Sequence, residues 1–332
     1  MNDDFYMNLA INEAWKYQIL TYPNPAVGCV ILDKNGKILS IEAHKQAGKA
    51  HAEVNAVKKA LQVLNPNLIF PKEDDKIYEF IIKHHNNLLK NSKAYVTLEP
   101  CSHYGKTPPC ANLLKEIGIS EVVIGYEDKS DLAKGGANLL KEANINVKFG
   151  ILKDRCFELL EPFLMWQRGN FSFLKLGMSI NGVVSGGIIT NLDSRKMVHK
   201  LREKIDLLVI GGNTVRVDRP TLDTRLINNG KNPDIFIYSK KQNFDKSIPL
   251  FGVENRKVTI SNDIKLIKNY KLCMFEGGEN LLNNLPNFVS HILIFSSTSF
   301  MNRKAINADV KIQKLFSFDM KDNFYIWYKI KS

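Results

Sequence analysis

Absences narrow the reading of this 332-residue sequence first. Nowhere does it hold the roughly 18 uninterrupted apolar residues of a membrane span, so no membrane role is expected. Its opening, MNDDFYMNLAINEAW, is acidic where a secretory leader is basic, and a cytoplasmic protein is the expectation. The five cysteines, at 29, 101, 110, 156 and 273, are too few and odd in number for a disulfide framework. A cysteine with a task here acts as a thiolate. The sequence has no internal repeat, no low-complexity tract, no full GxGxxG fingerprint and no P-loop. With 44% apolar and 24% charged residues it is neither collagen-like nor disordered.

What the chain has in excess is base: 46 Lys plus Arg against 34 Asp plus Glu, a net charge of +12. Such a balance favours anionic partners in general. The aromatics are spread evenly, without the basic-aromatic cluster of a single-strand groove, so nucleic acid is not the expected partner. At roughly 150 residues per domain, the length suggests two domains.

The patterning agrees. Residues 3–20 carry apolar side chains at helical spacing. Ala26–Leu32 and Lys37–Ala43 read as strands around the turn Asp33–Gly36. A helix over His51–Leu64, strands at Ala94–Leu98 and Glu121–Gly125, and helices at Ala111–Ile117 and Asn138–Ala143 complete an α/β layered domain over residues 1–150, with a mostly parallel sheet expected. Residues 65–92 read as an insertion over its surface, and 151–170 as a linker. The second domain, 171–332, restarts with a strand at Phe171–Met178. A helix follows from about Asp193, expected as its cap, and then strands at 206–210, 234–238, 257–260, 271–275, 291–295 and 323–330.

The chemistry concentrates in the first domain. His51-Ala52-Glu53, Pro100-Cys101 and Cys110 offer one imidazole and two thiolates. Three such ligands hold a tetrahedral Zn²⁺ and leave one position open for water. Glu53, two residues from His51, is placed to shuttle that water's proton. His-x-Glu with Pro-Cys and a second Cys is the signature of zinc deaminases of nucleobase-like rings, although eight residues rather than two separate these cysteines. Two other readings stay open. One is a structural zinc site that takes His44 or His103 as a fourth ligand, in a binding protein without turnover. The other is a zinc deaminase acting on nucleobases or nucleic acid, with an inactive C-terminal docking domain.

TYPNPAVGCVI, KQAGKAHAEVNAV and VTLEPCSHYGKTPPCANLL together closely resemble the bifunctional riboflavin-biosynthesis deaminase/reductase family. The resemblance implies a cytidine-deaminase-like three-layer domain that hydrolyses an amino group from a phosphorylated pyrimidine ribotide. It makes His51, Cys101 and Cys110 the zinc ligands, Glu53 the proton shuttle, and Asn24, His44 and Lys106 substrate-pocket residues. Two departures stand out. The 50-residue gap between His51 and Cys101 is about twice the usual one, and the usual Asp-Pro-Asn-Pro loop is Glu127-Asp128-Lys129-Ser130.

In the second domain, Gly211-Gly212 and Gly277-Gly278 each follow a strand, an arrangement that brings backbone N–H groups to an anion. LKLGMSINGVVS, ITNLDSRKMVHKLR, DLLVIGGNTVRVDRPTLDTR and FEGGENLL resemble, in order, the blocks of the family's reductase. That implies a dihydrofolate-reductase-like α/β fold that uses NADPH to convert a ribosyl to a ribityl chain. By position, Gly177, Thr214, Asp218, Ser239 and Gly278 would meet the cofactor, and Lys175, Arg202, Leu222, Arg225 and Glu276 the substrate. Asn181 stands where the family has Asp, the loop after Val183 is short, and Arg219 replaces an acidic or amide residue. The resemblance leaves room for a homo-oligomer.

Overall fold

The computed structural model describes residues 2–104, 108–128 and 135–331. The chain divides into two compact units, Met1–Phe163 and Leu164–Ser332, each with its own sheet.

In the first unit the Asn2 side chain accepts the Phe5 N–H and caps helix α1 (Asp3–Trp15), whose first turn holds Asp3 and Asp4. Acids there suit the positive end of the helix dipole. Strands β1 (Gly28–Leu32) and β2 (Ile38–Ala43) form a hairpin, its turn tightened by the Asp33 carboxylate accepting the N–H groups of Asn35 and Lys37. With β3 (Lys93–Leu98), β4 (Glu121–Tyr126) and β5 (Asn146–Phe149) the sheet order is β2-β1-β3-β4-β5. The hairpin sets β1 antiparallel to both neighbours, while β3, β4 and β5 run parallel. The sheet is mixed rather than mostly parallel.

Cys29, Ile31, Ala94, Val96, Val122 and Ile124 alternate onto one face of it. They share a core there with helices α2 (Ala52–Leu64), α3 (Asp74–His84), α4 (Cys110–Glu116) and α5 (Gly136–Glu142). The opposite face takes α1, with the Tyr6 and Tyr95 rings 5.1 Å apart, and the start of α6 (Lys153–Arg168). Two glycines permit that approach: a Cβ on Gly28 would lie 2.0 Å from the Ala10 carbonyl oxygen, and one on Gly125 2.2 Å from the Cys156 sulfur. The result is three layers, helix on sheet on helix. Across the 65–92 segment most side chains are exposed or half-buried, while Ile77, Ile81 and Leu89, at most 1% exposed, anchor it in that core.

In the second unit, β6 (Phe171–Ser179), α7 (Leu192–Lys204), β7 (Leu207–Gly211), α8 (Gly212–Asp218), β8 (Asp234–Tyr238), β9 (Val258–Ser261), β10 (Leu272–Glu276), α9 (Glu279–Leu282), β11 (Val289–Ser297), β12 (Ile312–Asp319) and β13 (Asn323–Ile330) follow in order. The eight strands lie as β12-β13-β11-β6-β10-β7-β8-β9. From β11 to β9 every pairing is parallel, and β13 and β12 add an antiparallel edge. Asn191, not Asp193, caps α7: its side chain accepts the Ser194 N–H at 2.9 Å, while Asp193 pairs with Lys321. Only a residue before the first turn can aim its oxygen at those N–H groups. No helix among the described residues is long and apolar enough to cross a membrane.

Candidate functional site

The sequence brings three soft or nitrogen ligands to one point by using the ends of elements. His51 is the N-cap of α2, Cys101 follows β3 by three residues, and Cys110 opens α4 behind Pro109. The His51 Nδ1 lies 3.3 Å from the Cys110 Sγ and 3.8 Å from the Cys101 Sγ, and the three ligand atoms fall within 4.8 Å of one another. Tetrahedral zinc with bonds of about 2.3 Å to sulfur and about 2.0 Å to nitrogen separates such ligands by roughly 3.5 Å, so the residues fit the ion. The Cys110 N–H donates to the Cys101 Sγ at 3.4 Å and the Ala111 N–H to the Cys101 carbonyl at 3.2 Å, tying the two sulfur-bearing segments together. Hydrogen bonds from the Cys110 thiol and from His51 hold the Cys101 thiol well below its usual range, at about 4, against the upward push of burial.

No further His, Cys, Asp or Glu among the described residues completes that set. His44, one candidate for a fourth ligand, is engaged otherwise. Its Nδ1 sits 3.0 Å from the Ala50 carbonyl and its Nε2 3.1 Å from the Asn24 side-chain nitrogen. The carbonyl can only accept, which assigns the proton to Nδ1 and leaves Nε2 accepting from the amide. Burial pushes the ring down to about 4, so it is neutral. Its ring centre is 5.5 Å from that of His51, which places the Asn24–His44 pair beside the three ligands. His103, the other candidate, is exposed. Glu53, 4% exposed in the first turn of α2, hydrogen-bonds the Cys110 thiol, and burial raises its carboxyl above the ordinary range. Lys106 lies outside the described residues, as do Lys129 and Ser130.

Glu99 is a site residue that sequence reasoning passed over. It is buried, and its carboxylate accepts the backbone N–H groups of Asp128, Gly135 and Ala137. The segments flanking β4 and α5 are thereby anchored two residues from Cys101. Gly136 closes the arrangement, since a Cβ there would lie 1.8 Å from the Pro100 carbonyl oxygen. The available signal was an acid ending the apolar run Ala94–Leu98, where a buried charge needs donors.

In the second unit, Lys175 on β6 and Glu276 on β10 are register partners. The Glu276 carboxylate takes Lys175 at 2.9 Å and Arg202 of α7 through two bonds of 3.0 and 3.1 Å. Burial alone would raise this carboxyl, but Arg202 and then Lys175 outweigh it and hold it at about 2. Arg202 also donates to the Asp223 carbonyl, and Arg225, mostly exposed, pairs with the Asp223 side chain at 2.7 Å. Leu222, buried and in the left-handed region at φ 56°, has its carbonyl held by Arg256. The same guanidinium takes the carbonyls of Thr221 and Leu250 at 2.8 and 2.7 Å. Arg256 was not foreseen either.

Of the residues expected at the cofactor, Thr214, Ser239 and Gly278 lie just past strand ends of this sheet. Thr214 is in α8 directly after β7. Ser239 follows β8 and crowds the place a Gly212 Cβ would take, 2.5 Å away. Gly177 is on β6 facing the Thr190 methyl, and Gly278 caps α9 after β10 and faces Val184. Asp218 is exposed at the last turn of α8. Asn181 explains its own departure from the family: it accepts the Met301 N–H at 3.1 Å and donates to the Met301 carbonyl at 2.9 Å, and a carboxylate could not donate.

Comparison with known proteins agrees with both halves. Residues 1–126 match the cytidine and deoxycytidylate deaminase zinc-binding region, and residues 171–288 match the RibD C-terminal domain. The chain is 36% identical over 239 residues to the riboflavin biosynthesis protein RibD of Bacillus amyloliquefaciens, covering 70% of this chain and 57% of that protein. It is 34% identical over 282 residues to RibD of Actinobacillus pleuropneumoniae, covering 82% and 68%. A solved structure from Thermotoga maritima, a diaminohydroxyphosphoribosylaminopyrimidine deaminase/5-amino-6-(5-phosphoribosylamino)uracil reductase, shares the fold over 99% of both chains, with a TM-score of 0.62 and 24% identity. With His51, Cys101 and Cys110 as its zinc site, the chain belongs to the RibD family, the bifunctional deaminase/reductases of riboflavin biosynthesis.

Proposed function

We propose that the chain deaminates a diaminopyrimidinone ribosyl phosphate and then reduces the ribosyl group of the product to ribityl with NADPH. The observation that carries the first step is the convergence of the three ligand atoms within 4.8 Å, with buried Glu53 two residues from His51. A zinc ion held there supplies Lewis acidity that lowers the pKa of water to about 7. Glu53 takes the proton of the attacking water and delivers it to the leaving amino nitrogen, so that the ring carbon exchanges C–N for C–O and ammonia departs. Asn24 and neutral His44 present a fixed polar edge beside the ligands, suited to orienting a heterocycle.

For the second step, the donor set at the ends of β7 and β8 suits an anionic dinucleotide. It comprises the Thr214 hydroxyl and the Arg216 guanidinium, which Ser239 steadies by accepting from it at 3.5 Å while donating to the Lys241 carbonyl. NADPH supplies the hydride. Gly177, Thr214, Asp218, Ser239 and Gly278 are assigned to it, and Lys175, Arg202, Leu222, Arg225 and Glu276 to the sugar phosphate. Arg225 is well placed for the phosphate because most of it is exposed, whereas Arg202 commits three N–H donors to Glu276 and Asp223. The buried trio of Lys175, Glu276 and Arg202 supports an active reductase rather than a docking module.

Product analysis on the pyrimidine ribotide tests both steps. Ammonia release without NADPH, followed by NADPH oxidation that requires the deaminated product, is the expected pattern. NADPH left unoxidised with that product in hand would reduce the second unit to a passenger.

A further inference from the structure

The 65–92 segment accounts for the wide separation of His51 from Cys101, and its helix reaches both ends of the metal centre. Neither α2 nor α4 has a side-chain cap, because the capping positions are filled by His51, whose ring serves the ion, and by Pro109. The first N–H groups of α4 turn instead to the Cys101 Sγ and carbonyl, and what remains to be fixed is the spacing between the two helix starts. Helix α3 stands where it can fix that spacing. Ile77 and Ile81 bury one side of it in the core shared with α2 and α4. From that seat Asp74 pairs at 2.8 Å with Lys49, two residues before His51. One turn on, the Tyr78 hydroxyl donates at 3.3 Å to the carbonyl of Pro109, the residue before Cys110.

We propose that α3 is a strap across the deaminase centre: Tyr78 on Pro109 and Asp74 on Lys49 fix the distance between the His51 and Cys110 segments and slow the escape of the metal. Tyr78 and Asp74 are positioning residues, and the strap rests on reading His51, Cys101 and Cys110 as zinc ligands. Of the two tethers, the partly exposed ion pair is the weaker. The hydroxyl of Tyr78 carries most of the effect.

The test uses the full chain loaded with zinc and mixed with excess 4-(2-pyridylazo)resorcinol, the zinc–dye colour reporting the release rate. Wild type, Tyr78→Phe, Asp74→Asn and Ile77→Ala are compared, and the urea midpoint of each is measured in metal-free form. Tyr78→Phe is expected to release zinc about three- to tenfold faster, the worth of one hydrogen bond, with its metal-free midpoint unchanged. Asp74→Asn should accelerate release at most about twofold. Ile77→Ala, which removes packing, should lower the midpoint. Release from Tyr78→Phe at the wild-type rate would overturn the strap. So would acceleration matched by a fallen midpoint, or a variant that does not fold, since the hydroxyl would then serve the fold alone. A wild type that holds no zinc would instead overturn the ligand assignment beneath it.

Discussion

Two buried carboxylates, Glu53 and Glu276, meet opposite surroundings. Burial dominates at Glu53 and favours its protonated form, whereas Arg202 and Lys175 keep Glu276 ionised. For Glu53→Gln we expect zinc content at the wild-type level, measured by metal analysis, and deamination reduced by about 10²- to 10⁴-fold, the usual contribution of a positioned acid–base group. Deamination at the wild-type rate would remove Glu53 from the mechanism. Glu276 makes a prediction about acid. Its folded value, about 2, lies below the ordinary 4.5, so it binds its proton less readily in the native state. Its stabilisation is complete above about pH 4.5 and is lost as pH falls toward 2. Glu276→Gln should flatten the fall in urea midpoint over that window. It should also cost on the order of 3 kcal/mol at neutral pH, because Lys175 and Arg202 are left facing each other with one neutral partner.

The loop from Arg219 to Arg225 has no regular secondary structure and is held by polar anchoring. Arg256 holds three of the carbonyls around it, and burial lowers that guanidinium to about 10, still charged at neutral pH. Arg256→Met should therefore raise KM for the sugar phosphate several-fold while kcat changes little, because Leu222 and Arg225 lose their frame and the hydride donor does not. An equal fall in kcat with constant KM would argue that Arg256 serves another purpose. What the sequence made legible follows from distance along the chain. His51, Cys101 and Cys110 are rare residue types with a specific spacer, and the helix period over 51–64 is clear. Arg256 and Glu99 act by donating or accepting at backbone groups, which leave no trace in residue identity. Strand β12 escaped notice because a register shift between Lys314 and Phe316 breaks the alternation. The short edge strand β5 is mostly exposed, and its apolar face is only Val147 and Phe149, too brief a run to stand out. For the 65–92 segment, Ile77 and Ile81 mark a buried face, but nothing in the sequence says which core receives it.

Over the molecule as a whole, a net charge of +12 would draw any polyanion, so association with nucleic acid is a check on specificity. We expect single-stranded DNA to bind weakly, with affinity falling steeply as salt rises from about 50 to about 200 mM, as non-specific phosphate contacts do. Tight, salt-insensitive binding in a fluorescence anisotropy titration would reopen the nucleic-acid reading. The two units otherwise show how little of a sheet's edges and caps must be foreseen for its chemistry to be found. The chemistry-bearing residues gather where strands end and helices begin, and those junctions are punctuated by Gly, Pro and His.

One such junction constrains the chain well beyond itself. Position 28 leaves no room even for a methyl group under α1, and Asn24 is only four residues before it. Any side chain there must pry the helix from the sheet, and the loop bearing Asn24 would travel with it. The Asn24–His44 edge proposed for the substrate is thus in lockstep with a glycine four residues away.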